Sequence, residues 1–180
     1  MDNSLRLFYA LWPDAPVRKA LSDWQKTLSG RKTPPQNLHI TLAFLGEQPA
    51  DTLDELKGIV KLLSFETILL TLDKTGYFAH NRISWAGMQH VPDGLLQLHQ
   101  DLVFALEERQ ISFDRRNRFT PHVTLARHSD RPRARSFDPV LWHASHLVLV
   151  ESRTVSGFSG SRQEYVVLAE KKSDLQSPLR

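Results

Sequence analysis

Asn37-Leu-His-Ile-Thr-Leu-Ala-Phe-Leu-Gly-Glu47 and Pro121-His-Val-Thr-Leu-Ala-Arg127 are the two stretches on which the reading of this chain turns. Each carries His-x-Thr followed by Leu inside a run of apolar and branched residues that reads as a strand. Side chains two apart on a strand share a face. His39 and Thr41 therefore project together, with Ile40 and Leu42 turned to the core; His122 and Thr124 do the same, backed by Val123 and Leu125. One His-x-Thr in a strand is an ordinary occurrence. Two copies at equivalent places in a longer repeat are not.

The flanking elements repeat as well. Leu5–Trp12 reads as a strand, Pro13-Asp-Ala-Pro16 breaks it, and Val17, Leu21, Trp24 and Leu28 mark one face of a helix. A basic loop, Gly30–Pro35, leads into the first motif. Later, Arg82–Met88 reads as a strand, Pro92-Asp-Gly94 breaks it, and Leu95, Leu98, Leu102 and Leu106 form a helical stripe ahead of the second motif, which lies in a strand-like run within Asn117–Arg127. The two histidines lie 83 residues apart, and the turn positions Asn81-Arg82 and Ser161-Arg162 lie 80 apart. A helix over Ala50–Ser64, a strand over Glu66–Phe78, a turn at Ala79-His-Asn81, a loop over Arg131–Pro139 and strands over His146–Ser156 and Arg162–Ala169 complete the pass. The expectation is one bilobal domain over residues 1–180, its halves related by a pseudo-twofold axis that faces both His-Thr pairs into one cleft.

Composition bounds the chemistry. The 180 residues include no cysteine, which excludes disulfides, thiolate metal sites and a cysteine nucleophile. Hydrophobic residues make up 41% and charged residues 24%, ordinary for a globular chain. No apolar run approaches the roughly 18 residues of a membrane span, and Met1–Leu11 lacks a basic start followed by a long apolar stretch. The cytoplasm is therefore the expected compartment. The net charge of +3 is unevenly spread: residues 1–110 hold 11 basic and 13 acidic side chains, and residues 111–180 hold 12 and 7. The excess sits in Arg115, Arg116, Arg118, Arg127, Arg131, Arg133 and Arg135, either a solvated surface or a phosphate-facing one.

Two histidines and two threonines around one cleft suit in-line displacement at phosphorus. One imidazole accepts a proton from the attacking oxygen and the other protonates the leaving oxygen, since a pKa near about 6.5 makes both forms accessible. Threonine hydroxyls and Arg127, three residues after Thr124, can hold the non-bridging oxygens. The scheme calls for no metal and no cofactor. On these grounds alone the two histidines are interchangeable.

The paired motifs, with Arg6-Leu-Phe-Tyr-Ala-Leu11 and Arg82-Ile-Ser-Trp-Ala-Gly87, resemble the 2H phosphoesterase superfamily, and within it the bacterial RNA 2′,3′-cyclic phosphodiesterases, also called 2′-5′ RNA ligases or LigT-like proteins. The resemblance runs from about Leu5 to about Lys171. It implies an α+β, bilobal fold with antiparallel sheets lining a central cleft and helices outside. It also implies opening of 2′,3′-cyclic phosphate RNA ends to 2′-phosphomonoesters, with reversible ATP-independent 2′-5′ joining. Carried over by motif position, His39 is the proton donor, His122 the proton acceptor, and Thr41, Thr124 and Arg127 bind phosphate.

For the nucleobase, Trp12 and Phe119 are the expected stacking residues, with Phe8, Tyr9 and Phe44 nearby. Asp138, Glu151 and Glu164 are available to orient a histidine. The partner is an RNA or oligonucleotide end, and a pseudo-dimer within one chain makes a monomer the expected state. The competing readings are hydrolysis of another phosphodiester, such as a 2′-5′ oligonucleotide or an ADP-ribose cyclic phosphate, a non-catalytic RNA-binding module, or a duplicated structural domain.

Overall fold

The computed structural model describes residues 4–115, 118–133, 137–157 and 160–174; Arg116 and Arg135 of the arginine cluster lie outside them. β1 (Ser4–Leu11) sends Leu7, Tyr9 and Leu11 into the main core, while Phe8 and Ala10 face the other side. Asp14 caps α1 (Ala15–Gln25) by accepting the Val17 N–H at 3.0 Å, with Pro16 in the first turn, and Val17 and Leu21 are buried. The expected basic loop holds a two-residue strand, β2 (Arg31–Lys32), before β3 (Ile40–Pro49). A 3₁₀ turn at Ala50–Thr52 precedes α2 (Leu53–Leu62), whose first turn is acidic and last turn basic, as the helix dipole favours.

The single strand expected over Glu66–Phe78 is instead two, β4 (Ile68–Leu72) and β5 (Lys74–Phe78). Asp73 makes the break: its N–H donates to the Gly87 carbonyl at 3.0 Å and its carboxylate accepts the Gln89 N–H at 2.8 Å. β6 (Ile83–Gly87) returns through the expected turn, and α3 (Asp93–Glu108) follows. β7 (His122–Arg127) begins at the histidine and lies within the expected stretch. A further strand, β8 (Val140–Ala144), follows the stretch expected as a loop, with Val140, Trp142 and Ala144 buried. β9 (His146–Gly157) and β10 (Gly160–Lys172) form a long hairpin. Ser161 and Arg162 lie inside β10, not in its turn.

The main sheet runs β10-β9-β1-β3-β7-β6-β5, with β2 also on β7; β4 and β8 pair separately, and every pairing is antiparallel. The helices lie on one side. α2 packs on β9 and β10, α3 on β3, and α1 on β7 and β8. Thus α1, which leaves β1, supports the opposite half of the sheet. One buried apolar cluster, from Leu7 to Leu149, runs beneath both halves. The arrangement is the expected α+β class.

β3 and β7 meet at one bridge, Ile40 against Val123. Past it the strands part, and β2 occupies the rest of that edge of β7, with Arg31 opposite Arg127 and Lys32 opposite Ala126. The buried Gln25 amide closes the seam, donating to the Thr33 and Leu125 carbonyls, each at 2.8 Å. Gly30 lets β2 lie so close. Its φ is +76°, and a Cβ there would sit 2.5 Å from the Arg127 carbonyl oxygen. Gly30→Ala is expected to lower stability by about 1–3 kcal/mol in urea unfolding followed by tryptophan fluorescence. An unchanged midpoint would show that this backbone contact is dispensable.

Candidate active site

The Ile40–Val123 bridge brings the two motifs side by side. In its register His39 comes level with Thr124, and Thr41 with His122. His39 precedes β3 directly and His122 opens β7, and both are half-buried. Each ring is held the same way. Nδ1 of His39 lies 2.7 Å from the Asn37 carbonyl, and Nδ1 of His122 lies 2.6 Å from the Thr120 carbonyl. A carbonyl only accepts, so Nδ1 carries the proton in both and Nε2 is left to the cleft. At His39, Nε2 accepts from the Thr41 hydroxyl at 3.0 Å.

Aromatic rings enclose both imidazoles. His39 stacks on Phe8 at 4.9 Å and on Trp12 at 5.4 Å, with the Tyr165 edge at 5.5 Å. His122 meets Phe78 edge-on at 5.0 Å and Trp85 at 6.0 Å. Trp85 reaches this place because its strand partner is Gly76, where a Cβ would lie 1.9 Å from the indole. On the other wall Phe8, Ala10, Val148 and Val150 form a small apolar floor, flanked by Trp12, Phe44 and Tyr165.

This setting governs the charges. Desolvation holds the His39 pKa down to about 4; the Asn37 carbonyl opposes it, and the charges of His122 and Arg127 add to it. His122 is lowered for the same first reason, with the Thr120 carbonyl opposing and Arg127 adding. Tyr165 is pushed up by burial and partly drawn back by Arg127 and Arg6.

Arg127 reaches the cleft through a bulge. Trp85 faces Thr124 while Ser84 faces Ala126, so Leu125 is the extra residue on β7. The bulge shifts the alternation by one and returns Arg127 to the face of His122 and Thr124. Arg127 makes no ion pair among the described residues.

The geometry thus gathers His39, His122, Thr41, Thr124, Arg127 and Trp12. Phe119 is not with them: it packs on the main core with its ring edge-on to His99 at 3.8 Å. Tyr9 is also a core residue, its hydroxyl donating to the Leu56 carbonyl at 2.8 Å. None of the candidate orienting carboxylates has that role, because both Nδ1 atoms use backbone carbonyls; Glu151 instead pairs with Arg153 at 2.7 Å. Phe78, Trp85 and Tyr165 were absent from the sequence-based candidates. They come from β5, β6 and β10, and only strand pairing places them here. A cavity of about 680 Å³ lies between α1 and residues 132–133 and 137–141, and no histidine is among the residues that line it. In-line displacement needs an acid and a base, so the histidine cleft is the candidate site.

Residues 13–156, which span both motifs, match the 2′-5′ RNA ligase superfamily. The chain belongs to this superfamily. Among its members, the chain is similar to the RNA 2′,3′-cyclic phosphodiesterase of Escherichia coli, 32% identical over 172 residues, covering 93% of this chain and 96% of the relative. The RNA 2′,3′-cyclic phosphodiesterase of Thermus thermophilus is 32% identical over 169 residues, 82% of each chain. The crystal structure of E. coli LigT in apo form matches with a TM-score of 0.80 at 29% identity, over 96% of this chain and 99% of that one. The 2H phosphoesterase fold expected from the paired motifs is therefore the fold of this superfamily member.

An NMR titration of the imidazole rings checks the electrostatics. His39 is expected to stay neutral, protonated on Nδ1, down to about pH 4, and His122 to titrate below 6.5. Arg127→Ala is expected to raise both values. A His39 pKa at or above 6.5 would contradict the desolvated setting.

Proposed function

We propose that this protein is an RNA 2′,3′-cyclic phosphodiesterase that opens the terminal cyclic phosphate to a 2′-phosphomonoester. The observation that carries the reading is the matched pair of histidines: each Nδ1 sits on the carbonyl two residues back, and each Nε2 faces one cleft beside Arg127. His122 removes a proton from water as the oxygen attacks phosphorus. The bond from phosphorus to the ribose 3′ oxygen breaks, and His39 supplies the proton that this oxygen takes. Thr41, Thr124 and Arg127 hold the non-bridging oxygens. The assignment of acid and base follows the superfamily resemblance.

A bound anion offsets the forces that disfavour imidazolium. The cyclic phosphate therefore raises the pKa of the histidine that must be protonated, and binding prepares the acid. In joining, a 5′ hydroxyl oxygen of RNA stands where water stands in hydrolysis and the histidines keep their roles; in the reverse step, when the 3′ oxygen attacks and the 2′-5′ bond breaks, the roles exchange. Trp12, stacked on His39, offers its outer face to the terminal base. The reading includes a monomer acting in the cytoplasm. It is supported by one core beneath both halves and by the absence, among the described residues, of a helix long and apolar enough to cross a membrane.

The test is hydrolysis of an oligoribonucleotide ending in a 2′,3′-cyclic phosphate, with the product identified as the 2′ or 3′ monoester. His39→Ala and His122→Ala are each expected to lower kcat by at least about 100-fold, and the wild type to release the 2′ monoester. Full activity in either variant, or a 3′ product, would remove the assignment.

A further inference from the structure

Arg31 is a basic side chain with no place in the chemistry above, and the fold positions it with care. Gly30 adopts a φ of +76°, which seats β2 against β7 and sets Arg31 directly opposite Arg127. Facing residues in an antiparallel pair project to the same side, with Cα atoms about 4.5–5.5 Å apart. Arg31 therefore shares the cleft face with Arg127. Its neighbour Lys32 points to the back, where its Nζ donates to the Leu28 and Gly30 carbonyls.

Like charges facing each other across a ladder are destabilising. Among the described residues neither arginine is relieved by a carboxylate; the nearby Asp130 pairs with Arg82 instead, at 3.1 Å. Two arginines at facing ladder positions, with no carboxylate partner among the described residues, can take two anions, since each guanidinium fork matches one phosphate. Under the proposed reaction Arg127 holds the cyclic phosphate. The nearest other phosphate on the substrate is the diester that joins the terminal nucleotide to its 5′ neighbour.

Resting on that reading, we infer that Arg31 binds this penultimate phosphodiester, so that the enzyme favours an RNA chain end over a free cyclic mononucleotide. The chain then leaves the cleft over β2, past the Arg31 side chain.

The experiment compares wild type and Arg31→Gln on two substrates, a mononucleoside 2′,3′-cyclic phosphate and an oligoribonucleotide ending in the same group. The ratio of kcat/KM for the oligonucleotide over the mononucleotide is expected to fall about tenfold in the variant, as for loss of one charge-assisted contact. The slope of log kcat/KM for the oligonucleotide against log salt is expected to decrease by about 0.7. Partial misfolding scales both substrates alike and leaves the ratio untouched. An unchanged ratio, or equal losses on both substrates, overturns the inference. Wild-type protein that hydrolyses neither substrate overturns the phosphodiesterase reading itself, and the inference with it.

Discussion

The antiparallel bridge between Ile40 and Val123 is the point on which the site depends. It is one residue wide. On one side of it β1 and β9 continue the sheet, and on the other β6 and β5 do so. Because the two strands part immediately beyond it, the sheet opens there, and the residues flanking the bridge stand at the floor of the opening. Those residues are His39, Thr41, His122 and Thr124. A slip of one residue in this register would exchange cleft and core faces on one strand and remove a histidine from the pair. The buried Gln25 amide, the Gly30 approach and the crossing of α1 beneath the opposite half all hold this seam.

The second constraint is dielectric. Each imidazole is wrapped by rings on the cleft side and tied by Nδ1 to a backbone carbonyl. Burial favours the neutral form; the carbonyl favours the charged one. Between these two, burial wins at both histidines. The carbonyl contact fixes the tautomer, so the same nitrogen, Nε2, faces the substrate at both. The proposed reaction needs one of them charged, and a phosphate anion between them would shift the balance in that direction. Arg127 lowers both values through its own charge, and in the proposed reaction that same charge holds the anion that offsets it.

Much of this was legible in the sequence because a period of two survives folding. His39, Thr41, His122 and Thr124 project from strands whose alternate residues are core-forming, and their pairing was legible from the repeated His-x-Thr-Leu. The helices followed from their apolar stripes. What stayed hidden depends on long-range pairing. β8 is five residues long and follows a charged loop, so Val140, Trp142 and Ala144 gave too short an alternation. Asp73 divides an otherwise strand-like run through bonds to Gly87 and Gln89, residues distant in sequence. Phe78, Trp85 and Tyr165 carry no local mark of their neighbours. Phe119, beside the second motif in sequence, turns to the core and His99 because β7 begins only at His122. The placement of Arg127 rests on the Leu125 bulge, which alternation alone would have put out of phase.

The central claim is that one proton shared between two desolvated histidines drives the reaction. The most direct measurement is the pH dependence of kcat/KM on a 2′,3′-cyclic phosphate RNA end, which reports the free enzyme. On that claim the active form carries one protonated and one neutral histidine, and the setting holds both pKa values below 6.5. The profile should be a bell with its maximum below that pH, rising with unit slope from the acid side and falling with unit slope above it, its two apparent values belonging to the pair. A plateau that persists from neutral pH into the alkaline range would mean that no protonated histidine is required, and would contradict the account.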